Sequence, residues 1–237
     1  WPDPAQQPWL LSLVPTQLVR LLDDPSGLHW LQRFALIWVG GAALPVTAAE
    51  RARQAGIRLA PCYGATETAA MVTALPPQRF LAGENGGGDA LNDVELRLLP
   101  NRALGVRTPR LALGSWSPLG QQAFSSLSDD AGWWRSGDAA DLSAGLRILG
   151  RLDGAVHSGG ETVFPEQLEV RLLQAAEQED LPVQALLILG VEDPEWGERL
   201  VVLVRTSDPS VLPALQKLTT GWAPADRPRR WLSCPEL

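Results

Sequence analysis

Hydrophobic positions along this chain change rhythm twice, near Gly83 and near Gly150. Before Gly83 they come in short unbroken runs. Leu10-Leu11-Ser12-Leu13-Val14, Phe34-Ala35-Leu36-Ile37-Trp38-Val39 and Ile57-Arg58-Leu59-Ala60-Pro61-Cys62 each predict a buried strand. Between the first two runs, Leu18, Val19, Leu21 and Leu22 recur at helical spacing behind Thr16, which predicts a helix capped by that threonine. Between the second and third, Thr47 and Glu50 form a capping-box pair and Gly56 is placed to end the helix. The order is βαβαβ, which predicts a parallel sheet with crossover helices.

From Gly83 the pattern becomes β-like. Gly83 to Gly88 reads as a flexible turn, and Asp93 to Leu98 alternates as a half-exposed strand does. The Leu111–Leu113 run and the hairpin-like stretch from Leu142 to Leu149 continue it. The glycine cluster is not a dinucleotide fingerprint, because a strand and not a helix follows it. After Gly150, Pro165 suits the first turn of a helix whose apolar side is Leu168, Leu172 and Leu173. Gln184–Gly190 and Leu200–Val204 read as strands, and Val211–Leu218 as another helix. The expected fold class is therefore α/β: a partial parallel α/β subdomain over 1–88, a small β-barrel subdomain over 89–150, and a small α+β domain over 151–237.

Composition narrows the function classes. Hydrophobic residues make up 45% and charged residues 20% of 237, an ordinary globular balance. A formal charge of −7 argues against nucleic acid or an acidic membrane surface as partner, since both need basic patches. No apolar run reaches the roughly 18 residues of a membrane span. Cys62 and Cys234 lie far apart with no metal-type spacing, so a reducing, cytoplasmic setting is expected. There is no G-x-S-x-G and no H-E-x-x-H, which removes two hydrolase templates.

The stretch with most chemistry is Tyr63-Gly64-Ala65-Thr66-Glu67-Thr68. It follows a predicted strand, where α/β sheets bind ligands. Its hydroxyls suit phosphate oxygens, and the Glu67 carboxylate is a hard ligand suited to Mg²⁺. By itself the hexapeptide reads equally as a polar loop with a capping threonine.

Four further motifs stand in order with it: GGAALP from Gly40, WWRSGD ending at Asp138, LGRLDGAVHSGGETVFPEQLE from Leu149, and VEDPEWGE ending at Glu198. With YGATETA from Tyr63 they resemble the motifs of the adenylate-forming superfamily of acyl-CoA synthetases, firefly-type luciferases and peptide-synthetase adenylation domains. The resemblance implies a two-step reaction. A carboxylic acid and ATP give an acyl-adenylate, and coenzyme A then displaces AMP, with Mg²⁺ assisting. It implies that Gly40, Gly41 and Ala42 border the adenine, that Tyr63 stacks on it, and that Gly64 and Ala65 let the backbone close on the nucleotide. Thr66 would donate to the α-phosphate and Glu67 would hold Mg²⁺. Asp138 would accept from the ribose hydroxyls, Ile148 would pack on the nucleoside, and Arg151 would bind ribose and phosphate. Asp153 falls on the hinge position, and Ser158, Gly159 and Gly160 would line the passage for the pantetheine arm.

Relatives usually carry lysine where this chain has His157, so that role lapses here. The strings YGATETAAMVTALPP and SGGETVFPEQLE are most similar to the o-succinylbenzoate–CoA ligase family of menaquinone and phylloquinone synthesis, which would put Ala70 to Thr73 near the acyl pocket. Another acyl-CoA synthetase, an amino-acid adenylation domain and a non-catalytic AMP- or partner-binding module are the alternatives. The family's lysine-bearing phosphate loop and its C-terminal catalytic lysine have no counterpart in the sequence, whose only lysine is Lys217. The chain is accordingly expected to be part of a longer enzyme and to be inactive alone.

Overall fold

The computed structural model describes residues 8–116, 124–208 and 210–237. It divides into two compact units, residues 1–148 and 149–237. The first unit opens with β1 (Leu10–Leu13), α1 (Pro15–Asp23), α2 (Pro25–Leu31), β2 (Leu36–Val39), α3 (Val46–Gln54) and β3 (Leu59–Gly64). β1, β2 and β3 are parallel neighbours, as the βαβαβ order predicts. The sheet then continues antiparallel through β4 (Met71–Ala74) to β5 (Asp89–Ala90), with α4 (Pro77–Leu81) between them in sequence. Leu18, Leu22, Leu31, Ile37, Ala52, Leu59 and Phe80 are buried in one cluster. Burying each larger apolar side chain contributes roughly 1.5–3 kcal/mol.

The local signals differ in three places. β1 is the edge of the sheet and Leu10 is 55% exposed, not buried; an apolar run alone does not tell an edge from a centre. α1 begins at Pro15 with Val14 as its cap residue, so Thr16 lies inside the first turn. Proline pre-sets the first helical position, and the Gln17 side chain accepts the Val14 N–H at 3.1 Å. α3 likewise begins at Val46 after Pro45 with no side-chain cap, so Thr47 and Glu50 do not form the box. The far end is as expected. Gly56 has φ +67°, and Gly56 N–H and Ile57 N–H donate back to Arg53 and Ala52 carbonyls, a Schellman ending.

The rest of the first unit is antiparallel β. β6 (Glu95–Leu98), β7 (Ala103–Arg107), β10 (Trp134–Asp141) and β11 (Arg147–Arg151) form an open sheet in the order β11-β10-β7-β6, while β8 (Gly114–Trp116) and β9 (Phe124–Ser126) pair as a ribbon. Val72, Leu104, Val106, Trp134, Ala140 and Leu146 are its core. Leu111 to Leu113 is not a strand, and Leu113 stands 86% exposed. The Gly83–Gly88 turn is pinned: Gly87 N–H donates to Leu146 O and Leu146 N–H to Gly88 O, both at 2.7 Å. Arg53 also donates to the carbonyls of Phe80 and Glu84 and to the Asn85 side chain.

The second unit, which begins within β11, is α+β. β12 (Val156–Ser158) and β13 (Glu161–Val163) form a hairpin, followed by α5 (Pro165–Gln178), β14 (Val183–Asp193), β15 (Gly197–Thr206), α6 (Val211–Leu218) and β16 (Arg230–Ser233). β15 pairs antiparallel with β14 and parallel with β16. Pro165 opens α5 as expected, and Leu168 and Leu172 are buried against Ile188, Leu200 and Val202. Leu173 turns outward, 38% exposed. The fold class read from the sequence is the one observed.

Candidate functional site

The polar cluster sits where β3 ends. The ladder to β4 shifts register between Tyr63 and Gly64. A Cβ on Gly64 would lie 2.5 Å from Ala70 O and 2.6 Å from Met71 Cα, so only glycine lets β4 turn back this closely. Thr66 to Thr68 form a single 3₁₀ turn, and Ala69 leaves it with φ +61°. Thr68 is fully buried and closes the turn: Ala65 N–H donates to its Oγ1 at 3.0 Å, while the hydroxyl lies 2.9 Å from Ala65 O and 2.8 Å from Ala70 O. Ala112 N–H donates to Glu67 O at 2.8 Å. Arg110 donates to Thr68 O and Met71 O, both at 3.2 Å, while Asp93 holds the same guanidinium at 2.6 Å. Neither the Thr66 hydroxyl nor the Glu67 carboxylate has a protein partner among the described residues, so both are open to a ligand.

Tyr63 reaches across to the second sheet. Its Oη donates to Asp138 Oδ2 at 2.5 Å, a bond between residues 75 apart in sequence. Asp138 lies where the β10–β7 register shifts between Arg135 and Ala139, and such bulges re-aim side chains. Its own N–H donates to the buried Ser136 Oγ at 3.2 Å. Ile148 and Tyr63 are partly buried against the same core cluster. Gly87 packs beside them: a Cβ there would lie 3.0 Å from Thr73 Oγ1 and 3.5 Å from Tyr63 Cβ. Thr73 is fully buried, and its hydroxyl has no partner among the described residues.

Gly40, Gly41 and Ala42 follow β2. Gly41 has φ +85°, a conformation for glycine. A Cβ on Gly40 would lie 2.8 Å from Cys62 Sγ, so within the sheet this glycine makes room for Cys62. Burial pushes the Cys62 thiol up from its ordinary range.

The other predicted residues belong to the second unit. Arg151 donates through Nε and Nη2 to the two carboxylate oxygens of Asp153, at 3.1 and 3.3 Å. That pairing holds the Asp153 carboxyl below the usual range, but both side chains are mostly exposed and such pairs stabilise little. Gly159 and Gly160, at φ +60° and +85°, are the two-residue turn of the β12–β13 hairpin, whose turn type needs positive φ at both positions. Gly159 N–H donates to Trp196 O at 2.9 Å, and a Cβ on Gly159 would strike the Trp196 ring at 2.6 Å. Ser158 is fully buried with its hydroxyl unpartnered among the described residues. His157 takes a structural place: its N–H donates to Glu198 Oε2 at 2.7 Å. Lys217 is an exposed residue of α6.

The Tyr63–Asp138 bond and Arg110 were not foreseen as site features. The motif order of Tyr63 and Asp138 was the one signal that bore on the first; Arg110 stands in a segment with no distinctive spacing.

The arrangement has known counterparts. The AMP-binding enzyme family matches residues 4–107. The 2-succinylbenzoate–CoA ligase of Escherichia coli K12 is 35% identical over 94% of this chain and 46% of its own length, and that of Haemophilus influenzae 32% over 88% and 44%. Among solved structures, E. coli MenE with a bound phenylether-linked analogue of OSB-AMS aligns at TM-score 0.74 and 34% identity, over 96% of this chain and 48% of that one. Bacillus subtilis MenE in complex with ATP and magnesium shares the fold at TM-score 0.75 and 21% identity, again over 96% and 48%. The chain thus spans about half the length of the curated relatives it matches. Residues 4–107 thus match the AMP-binding enzyme family, and over nearly its whole length the chain is similar to about half of a 2-succinylbenzoate–CoA ligase.

Proposed function

We propose that this chain carries the adenylate site of an ATP-dependent acid–CoA ligase whose acid is o-succinylbenzoate. The observation that supports this most is the 2.5 Å bond from Tyr63 Oη to Asp138 Oδ2. It brings the aromatic face proposed for the purine and the carboxylate proposed for the ribose to one place. A carboxylate has about four acceptor sites, so Asp138 can take both ribose hydroxyls while Tyr63 still donates to it. The Thr66 hydroxyl would donate to the α-phosphate, and Gly64 and Ala65 would form the backbone wall.

In the reaction, an acid oxygen bonds to the α-phosphorus as pyrophosphate leaves; the thiol sulfur then bonds to the acyl carbon as AMP leaves. Magnesium needs only one or two carboxylates plus phosphate and water oxygens. Glu67, half-buried and without a protein partner among the described residues, fits that donor set. The ion would supply charge neutralisation on the phosphates.

Arg151 would bind ribose and phosphate after release from Asp153. Residues from Leu149 onward would act as the mobile domain about Asp153, with Ser158, Gly159 and Gly160 along the thiol's path. Gly40, Gly41, Ala42 and Ile148 would border the nucleoside. No helix among the described residues is long and apolar enough to cross a membrane, and a cytoplasmic place is part of the proposal.

Titration calorimetry with a sulfamate analogue of o-succinylbenzoyl-adenylate tests the reading. Binding is expected, tighter than for the benzoyl analogue and weakened by Asp138→Ala. Absence of heat would end the adenylate-site reading; equal affinity for the two acyl groups would end the substrate reading. Lys217 is the sole lysine, so the 237 residues alone are expected to bind without turnover. Enzyme-like pyrophosphate release from ATP and o-succinylbenzoate would overturn that.

A further inference from the structure

Two neighbouring side chains at the start of α5 hold the chain on either side of Gly150. Glu166 Oε1 accepts the Arg151 N–H at 3.1 Å, and Gln167 Nε2 donates to Leu149 O at 3.0 Å. All of these residues belong to the second unit. Gly150 makes the approach possible. Its φ is +154°, a conformation that suits glycine. A Cβ there would lie 2.5 Å from Glu166 Oε2 and 3.2 Å from Phe164 Cβ, so the carboxylate occupies the notch that the missing side chain leaves. Gly154 borders the same carboxylate, since a Cβ there would lie 3.7 Å from Oε1.

An acidic residue in the first turn of a helix ordinarily stabilises that helix through its dipole. Glu166 lies in the first turn of α5, yet its carboxylate is bonded to a backbone group fifteen positions earlier in the chain. Its Oε2 is covered and has no partner among the described residues. A covered carboxylate oxygen without a partner is costly, so helix stability alone does not account for the placement. What the contact does is fix the backbone from which the Arg151 side chain springs. The guanidinium is held separately, by the exposed Asp153 carboxylate at 3.1 and 3.3 Å. Arg151 can therefore give up Asp153 while its root stays in place.

We propose that Glu166 is a positioning residue for Arg151. It anchors the backbone at Arg151, so that fewer chain conformations are lost when the guanidinium moves onto a nucleotide. The inference rests on the reading of Arg151 as the residue that binds ribose and phosphate.

The test is titration calorimetry of AMP into the full chain and into the variants Arg151→Ala, Glu166→Ala, Glu166→Gln and the double variant R151A/E166A. Glu166→Ala is expected to weaken AMP binding at least about fivefold. Glu166→Gln keeps an acceptor oxygen of the same reach and should restore most of that loss. The double variant should bind no more weakly than Arg151→Ala alone, because Glu166 acts only through Arg151. Glu166 is half-buried, so the variants are expected to fold, and an unchanged circular dichroism spectrum checks this. If Arg151→Ala weakens binding while Glu166→Ala does not, the positioning role is refuted and the reading of Arg151 stands. Additive losses in the double variant, or no rescue by Glu166→Gln, also refute it. Wild-type affinity in Arg151→Ala would instead overturn the reading of Arg151, and the positioning role with it.

Discussion

Replacing Tyr63 by phenylalanine removes one oxygen and keeps the ring. The aromatic face offered to a purine is therefore retained, and only the donor to Asp138 is lost. That bond is 2.5 Å long, links the two sheets of the first unit, and lies in half-buried surroundings. A hydrogen bond to an ionised acceptor nets about 1.5–3 kcal/mol; partial solvent access trims this to about 1–2 kcal/mol. If the same bond holds Asp138 in the orientation that receives ribose, AMP affinity falls by a comparable amount, about five- to thirtyfold.

The assay is calorimetric titration of AMP into wild type, Y63F, D138N and the double variant. Directly paired groups should give a coupling energy of about 1–2 kcal/mol, whereas independent sites add within about 0.3–0.5 kcal/mol. Wild-type affinity in Y63F, or additive single effects, would refute the claim that this bond orients the nucleotide site. Loss of thermal stability without loss of affinity would reduce it to a tie between sheets.

Three further outcomes follow from the same geometry. Gly64→Ala sets a Cβ against the backbone of Ala70 and Met71 and is expected to lower the urea midpoint by about 1–3 kcal/mol in stability; an unchanged midpoint would mean that the β3–β4 turn-back is loose. Arg110→Met removes the donors to Thr68 O and Met71 O, so hydrogen exchange at the Ala112 amide, bonded to Glu67 O, should speed up several-fold while that of Leu172 in α5 does not. Asp141 is held down to about 2, first by the Ser143 N–H and hydroxyl and then by Arg147. Its folded value lies below the unfolded carboxylate value near ~3.9, so its contribution to stability is full above that pH and fades as pH falls toward about 2. A carbon-detected NMR titration placing Asp141 at an ordinary carboxylate value would contradict this.

Much of the architecture was legible because one-sided burial leaves a period in the sequence. The unbroken runs of β2 and β3 and the helical spacing of Leu168 and Leu172 are of this kind. β4 was not legible. Met71-Val72-Thr73-Ala74 is four residues long, buried at Val72 and Thr73 on opposite faces, so it carries neither alternation nor a clear apolar run. The helix caps failed for a different reason, since Pro15 and Pro45 decided where the helices start and made the nearby threonines redundant. For the site, the motif residues at the end of β3 were legible individually. Their supports were not: Arg110 reads as one arginine among many, and its partners Thr68, Met71 and Asp93 are set only when three segments meet.

Those supports explain how so short a turn can present functional groups. One 3₁₀ turn cannot hold its own shape, since such turns have poor hydrogen-bond geometry and run only three or four residues. Here every fixed contact of Thr66 to Thr68 is made away from the two side chains proposed to meet the nucleotide. Thr68 turns inward and locks Ala65 and Ala70, Ala112 holds the Glu67 carbonyl, and Arg110 spans Thr68 and Met71 from outside. The Thr66 hydroxyl and the Glu67 carboxylate are left without protein partners among the described residues. Groups fixed in place but unspent are what electrostatic preorganisation requires, because they need little rearrangement when charge arrives. Asp138 reaches the same condition by another route. A bulge re-aims it and Tyr63 holds one oxygen.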